Sequence, residues 1–318
     1  MTFYDLASLA KPLVTAPLAL EYLDLDRDRR PQLGFRDRTE PLTVRQLLSH
    51  TSGLPPWFPF QAGHLPELLA AFRGWGRHPL LCQGQVGHFL YSDLGYRMLA
   101  ELLEQETGKP FAALGQGSSG LLAAPWGQAP RAIPDGQDAE AWRLACPELP
   151  FPPQGPGLPH DANARAGMKG HAGFGTDAQG MAAALERWVS GGFPGRMALD
   201  VVQAQDGALW GLGLQRALTG PGRFGSLLAS LPKGLSGIHV LAEDALELPD
   251  PAPAVTGAVG PPSAFWYHLG YTGPALFLRP EDGLCIALLT HRLGPSGELL
   301  DVETLRARRW SLLERLLP

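Results

Sequence analysis

Positive charge is scarce in this chain. Only Lys11, Lys109, Lys169 and Lys233 are lysines, the other basic residues are arginines, and the formal net charge is −5. That sign excludes the electrostatic footprint of a nucleic-acid partner. Cysteine is scarcer still. Cys82, Cys146 and Cys285 are odd in number, far apart and free of any Cys-x-x-Cys spacing. A disulfide framework and a thiolate metal centre are therefore excluded, and reduced structural thiols are expected. No apolar run is long enough to cross a bilayer, so no membrane contact is expected. No signal-peptide pattern precedes the first motif, so the chain as written reads as cytoplasmic. No Gly-x-Ser-x-Gly elbow occurs, which disfavours an α/β-hydrolase. No metal or cofactor motif is present, and neither is expected.

What is present is globular. The 318 residues are 45% hydrophobic and 18% charged, enough for two domains or one large one. Apolar spacing predicts helices over 9–23, 42–49, 92–107, 178–189 and 301–317. Asp5 is placed to cap the first, and Pro17 should bend or end it early. Residues 114–160 read as long loops with short helical pieces. Segments 208–215, 264–268, 275–279 and 284–291 are short, apolar and strand-like, and Pro280-Glu281-Asp282-Gly283 is a hairpin turn between the last two. Helices early and antiparallel strands late give an α+β chain. Residues 1–21 and 191–318 should form an α+β region with an antiparallel sheet, and 22–190 a mostly helical one. Strand 284–290 is apolar throughout, which predicts a central position with cover on both faces.

Ser8-Leu9-Ala10-Lys11 sets a hydroxyl and an amine three residues apart, neighbours on one helical turn. Serine is a weak nucleophile until a base activates it, and a partly desolvated lysine is such a base. A second copy, Ser230-Leu231-Pro232-Lys233, is broken by its proline. The plain reading of Ser8 and Lys11 is an ordinary first turn. Tyr91-Ser92-Asp93 reads by itself as the capped start of a helix, with a phenol able to relay a proton and a carboxylate able to orient Lys11. His268-Leu269-Gly270-Tyr271-Thr272-Gly273 is a glycine-spaced strand that admits close approach of backbone or ligand. His160-Asp161-x-Asn163-Ala164 and Gly170-His171-Ala172-Gly173 form a polar loop without a sharp reading of its own. His64, His78 and His88 have no argued role.

In this order the segments resemble the serine β-lactamase and penicillin-binding-protein superfamily, and within it the class C-type branch of β-lactamase-like esterases and peptidases. Ser8–Lys11 matches its Ser-x-x-Lys motif. Tyr91-Ser92-Asp93 matches Tyr-x-Asn with Asp93 in place of Asn, and His268-Leu269-Gly270 stands at Lys-Thr-Gly or His-Thr-Gly. The stretch Leu47-Leu48-Ser49-His50-Thr51-Ser52-Gly53-Leu54 and the polar loop match the linking text. The resemblance implies a β-lactamase/DD-peptidase-like fold, an antiparallel sheet flanked by helices beside a mostly helical region. It implies a serine hydrolase acting through an acyl-enzyme on a small ester or amide. Ser8 would be nucleophile, Lys11 and Tyr91 the proton-transfer groups, and the backbone N–H groups of Ser8 and Tyr271 the oxyanion hole. Asp93, His268 and Gly270 would meet substrate.

The chain departs from that pattern in three ways. Asp93 favours a charged Lys11, whereas a base needs a lowered pKa, for which burial beside Tyr91 is the physical means. His268 and Leu269 weaken recognition of a substrate carboxylate and favour an ester or amide lacking one. The two N-terminal strands that normally precede Ser-x-x-Lys are missing as the chain is written. A later start than the natural one, a replacement hairpin from 224–231 and 237–242, or a partner chain would each cover strand 284–290. A non-catalytic binding or sensing protein of the same fold is the alternative function. A homo-oligomer is an open possibility.

Overall fold

The computed structural model describes residues 4–35, 38–56, 84–123, 161–165, 168–198, 202–203, 209–217, 228, 231–232, 234–243, 265–292 and 300–317. His64, His78, Cys82, Cys146, His160, the Ser230 and Lys233 ends of the second Ser-x-x-Lys, and most of 224–231 lie outside them.

The chain opens with strand β1 (Tyr4–Asp5), a 3₁₀ turn (Ala7–Leu9), a π turn (Lys11–Thr15) and helix α1 (Ala16–Tyr22). The single helix expected over 9–23 is thus three helical geometries in series. Pro12 and Pro17 offer no N–H to the turns before them, so regular i→i−4 bonding cannot run through. Pro17 neither bends nor ends α1. It falls in that helix's first turn, where a missing N–H costs nothing. Asp5 does not cap a regular helix; its Oδ1 accepts the Ala7 N–H at 2.8 Å.

Helices α2 (Arg30–Leu33) and α3 (Val44–Leu48) follow, the second started by a Thr43/Gln46 capping box. Helix α4 (Asp93–Thr107) buries Leu94, Met98, Leu99, Leu102 and Leu103 and stops at Gly108 in the left-handed conformation. Then come α5 (Phe111–Ser119), β2 (Leu122–Ala123), α6 (Ala162–Arg165), β3 (Phe174–Thr176), α7 (Ala178–Ser190) and α8 (Phe193–Met197). Helix α5 begins at Phe111, ahead of the loop region expected from 114. The rest is β4 (Val202–Gln203), β5 (Leu209–Trp210), β6 (Gln215–Ala217), β7 (Ile238–Ala242), β8 (Phe265–Leu269), β9 (Ala275–Arg279), β10 (Leu284–Leu289) and α9 (Val302–Glu314).

A small sheet, ordered β1-β3-β2, ties the residues just before Ser8 to Gly175 and Thr176. The large sheet is ordered β4-β5-β6-β8-β9-β10-β7. Its pairs are antiparallel except β10 with β7, which run parallel from Cys285↔Ile238 to Leu289↔Ala242. Strand β10 is buried along its whole length and paired on both sides, as its apolar run requires. Its second neighbour, β7, comes from the 237–242 arm of the hairpin anticipated from 224–231 and 237–242, and pairs in parallel; most of the 224–231 arm lies outside the described residues. Residues 208–215 also differ from expectation: they form two strands, β5 and β6, joined by a tight turn. Gly213 makes the turn fit, since at φ +93° an added Cβ would lie 2.8 Å from Tyr96 Oη.

One face of the large sheet shares a continuous core with α1, α4 and α7, including Leu18, Leu99, Leu185, Trp266, Leu278 and Ala287. The other face is covered by Leu312 and Leu313 of α9 against Phe265, Phe277, Ile286 and Leu288. Helix α7, which the boundary at 190 assigns to the helical region, packs directly on β7 and β10.

Candidate active site

The 3₁₀ turn carrying Ser8 is clamped from both sides. Leu6 N–H donates to Phe174 O at 2.9 Å, and the Thr272 hydroxyl donates to Asp5 O at 2.7 Å. An added Cβ at Gly270 would stand 2.9 Å from Leu6 O, so only glycine lets β8 come this close. Ala7, directly before Ser8, sits at φ +44°, a conformation that costs a non-glycine residue about 1–3 kcal/mol and persists only where its surroundings impose it.

Lys11 is fully buried, and its Nζ meets Ser8 Oγ at 2.9 Å, His171 O at 3.0 Å, Asp93 Oδ1 at 2.7 Å and the Tyr91 phenol oxygen. The rings of Tyr91 and Tyr96 lie 5.0 and 5.6 Å from the same nitrogen. Burial pulls the Lys11 pKa down, but the Asp93 carboxylate and the Tyr91 oxygen outweigh it, and the net direction is up. Of the two opposing effects weighed from the sequence, Asp93 decides the sign, and the resting group is an ammonium. The Tyr91 phenol interacts with both Lys11 and Ser8, and burial raises its pKa against the pull of Lys11, so it is neutral.

Tyr91 and Asp93 reach this point because Ser92 starts α4, its hydroxyl accepting Gly95 N–H at 3.1 Å and donating to Pro55 O at 2.7 Å. Capping and chemistry occupy adjacent residues and do not compete. From the opposite side β8 brings His268, 2% exposed, its ring 6.1 Å from that of Tyr91. Among the described residues, neither His268 ring nitrogen has a hydrogen-bond partner. Burial first, and the Lys11 charge second, lower its pKa to about 3, so the imidazole is neutral. Leu269 alternates to the far face and packs on the core beneath α9. Tyr271 stands in the turn beyond Gly270 with its side chain 54% exposed and the Arg292 guanidinium 4.2 Å from its ring centre. The structure thus brings Ser8, Lys11, Tyr91, Asp93, His268 and Gly270 together, with Tyr271 at the rim.

Sequence reasoning missed three contributors. His50 is buried, left-handed at φ +59°, accepts Ser92 N–H on Nδ1 at 3.0 Å and stacks 4.3 Å from Tyr91. Its pKa is held well below normal, first by burial and then by Lys11. Trp210 closes the wall, 5.7 Å from Tyr91 and 6.0 Å from His268. Asp161 accepts from the ring of His171 at 2.9 Å and from Ala164 N–H at 2.8 Å, fixing the loop whose carbonyl faces Lys11. The only signal was that His50, Asp161 and His171 lie in the quoted linking text. Among the described residues no acidic or imidazole cluster suited to a metal ion occurs, and no helix is long and apolar enough to cross a membrane.

The arrangement places a hydroxyl beside a buried ion pair and a neutral phenol, in a pocket walled by aromatic rings and closed by a glycine-spaced strand. Solved structures share this architecture. A class C beta lactamase from Rhodobacter sphaeroides aligns over 99% of this chain and 86% of its own, with TM-score 0.61 and 16% identity. A D-stereospecific amidohydrolase from Streptomyces sp. aligns over 96% and 86%, with TM-score 0.52 and 16% identity. At such identities the likeness is one of fold. Penicillin-binding protein 4* of Bacillus subtilis (strain 168) is 27% identical over 139 residues, a match covering 35% of this chain and 27% of that protein. The family model described as Beta-lactamase matches residues 2–308, nearly the whole chain, and the chain belongs to that family.

Proposed function

We propose that the protein is a serine hydrolase that acts through an acyl-enzyme on a small, uncharged ester or amide. The observation carrying this reading is the 2.9 Å contact between Ser8 Oγ and the fully buried Lys11 Nζ, inside a pocket that also holds Tyr91 and His268. Ser8 attacks the carbonyl carbon, and Lys11 with Tyr91 handles the proton. The backbone N–H groups of Ser8 and Tyr271 receive the oxyanion; one such donor is worth about 3 kcal/mol of barrier. Water then releases the acid. The substrate class follows from position 268, where a neutral imidazole supplies hydrogen bonds but no charge for a carboxylate.

The test is the pre-steady-state burst of nitrophenol from a p-nitrophenyl ester, with mass spectrometry of the intact protein. A burst matched by an acyl adduct on Ser8, both absent in Ser8→Ala, is the expected result. A chain that forms no Ser8 adduct with activated esters or β-lactams is a binding protein built on the fold, and the hydrolase reading fails.

A further inference from the structure

Four oxygens face the Lys11 ammonium: Ser8 Oγ, His171 O, the Asp93 carboxylate and the Tyr91 phenol. They are not equivalent. His171 O is an amide carbonyl and cannot keep a proton. Ser8 Oγ is the group that must lose one, and the neutral Tyr91 phenol already carries its own. Asp93 Oδ1, ion-paired 2.7 Å from Nζ on a side chain 15% exposed, is the remaining acceptor, and a carboxylate can hold a proton. We propose that Asp93 is the terminal proton acceptor for Ser8, reached through Lys11. This rests on the serine-hydrolase reading above and adds a role for the aspartate that replaces the family's asparagine.

The step balances. As Ser8 Oγ bonds to the carbonyl carbon, the carbonyl π pair moves to oxygen. The serine proton passes to Lys11 Nζ, and a Lys11 proton on the other side passes to Asp93. The ammonium–carboxylate pair becomes an ammonium–carboxylic acid pair. When the tetrahedral adduct collapses, the leaving group takes a proton from Lys11, and Asp93 returns its own. Hydrolysis of the acyl-enzyme repeats the cycle with water in place of serine. Once its Asp93-facing proton has moved, the two N–H groups Lys11 keeps face Ser8 Oγ and His171 O, so a turn about its Cε–Nζ bond brings the lone pair to Ser8 before the serine proton is taken.

The other titratable groups facing Lys11 do not serve as the terminal acceptor. Tyr91 and Tyr96 are neutral phenols whose pKa values burial raises. His50 and His268 are neutral imidazoles held below their normal range by burial. Asp161, which also feels the Lys11 charge, is occupied by His171 and Ala164. Without Asp93, Lys11 would have to shed its proton to solvent before it could act.

The experiment is the burst rate of p-nitrophenyl acetate on the full-length chain, measured against pH and in H₂O/D₂O mixtures, for wild type, Asp93→Asn and Asp93→Glu. With Asp93 as acceptor, the wild-type rate is flat between roughly pH 6 and 9, because the Lys11 proton passes to Asp93 and not to solvent. Two protons in flight bow the dependence on deuterium fraction. Asp93→Asn gains an ascending limb at the pKa of Lys11 and a linear dependence. Asp93→Glu, which keeps a carboxylate, keeps the flat profile and guards against a folding artefact in the asparagine variant. A wild-type rate climbing about tenfold per pH unit from 7 to 10 overturns the proposal. So does an Asp93→Asn profile identical to wild type. Absence of any wild-type burst or Ser8 adduct is a different failure: it removes the hydrolase reading and this role with it.

Discussion

Arg309 of α9 is buried 6% exposed, and among the described residues its partners are carbonyls alone: Gly273 O at 2.7 Å, Gly270 O at 2.9 Å and Pro274 O at 3.2 Å. Those three oxygens define the turn that carries Tyr271. Burial, then the nearby Arg292 charge, lower its pKa to about 10, the signature of a cation without a counter-charge. Consider Arg309→Met. Three hydrogen bonds from a charged donor are lost, worth about 1.5–3 kcal/mol each. Against that, several kcal/mol of guanidinium desolvation disappears, on the order of what such bonds return. No carbonyl is orphaned, because Gly273 O keeps the Thr290 hydroxyl at 2.7 Å, Gly270 O keeps Gly273 N–H at 3.2 Å and Pro274 O keeps Gly270 N–H at 2.8 Å. The net loss of stability is therefore modest, about 1–3 kcal/mol. The turn, however, loses what holds it to α9, and misplacement by about 1 Å can cost about a hundredfold in rate. The expected outcome is a melting point lowered by a few degrees beside a burst rate lowered ten- to a hundredfold, with KM changed far less than kcat. Arg309→Lys, reaching fewer of the carbonyls, should fall between. A variant that melts early but acylates at the wild-type rate would show that the turn holds its place without Arg309 and refute the reasoning.

Gly270→Ala places a methyl 2.9 Å from Leu6 O and 3.2 Å from Pro274 O, both backbone atoms that cannot swing aside. Overpacking of that kind costs about 1–3 kcal/mol, and here it pushes β8 off the Ser8 turn, so thermal stability and burst rate should fall together; unchanged values of both would contradict the close approach. Asp28 answers to acid. Arg30, through its side chain first, and the Arg30 and Leu42 N–H groups lower its pKa to about 2. A depressed carboxylate gives stability that is present above its unfolded value of about 3.9 and disappears as pH falls through the folded one. The urea midpoint gap between wild type and Asp28→Asn should therefore shrink as pH drops from about 5 to 2. A gap independent of pH would assign the Asp28 contribution to packing instead of charge.

The late strands were legible because nothing competes with their pattern. Segment 275–279 was read as observed, since an apolar run ended by Pro280–Gly283 has one solution, and β10 could only be central. The first helix was half legible. Its apolar periodicity showed through, but periodicity does not report whether a turn is 3₁₀, π or α, and the two prolines set that. Residues 208–215 were misread because Gly211 and Gly213 interrupt an apolar run without a polar residue to mark the turn. The parallel pairing of β7 with β10 joins partners more than forty residues apart, and no local signal specifies it. The site was legible as an ordered set of letters. Its electrostatics were not: whether Lys11 is an amine or an ammonium depends on a 2.7 Å distance to Asp93, and sequence carries residue types without distances.

The replacements at 93 and 268 belong to one change of charge. In the motif this chain resembles, asparagine stands at the position of Asp93, and lysine or histidine at that of His268. Here Lys11 is matched by Asp93, and His268 is neutral, so neither position leaves an unmatched positive charge. A unit charge at 4 Å is worth about 4 kcal/mol at the effective dielectric of a partly exposed site, enough to govern whether an anion enters. Either replacement alone would leave a mismatch. A carboxylate at 93 facing two lysines would be shared between them and held off Lys11. A neutral 268 with asparagine at 93 would leave Lys11 buried without an anion, and burial would then lower its pKa. Together they leave Lys11 paired with Asp93 and put no positive charge at 268. On the reading proposed above, the residue on the proton path and the residue that governs specificity are thus linked through the charge on a single nitrogen.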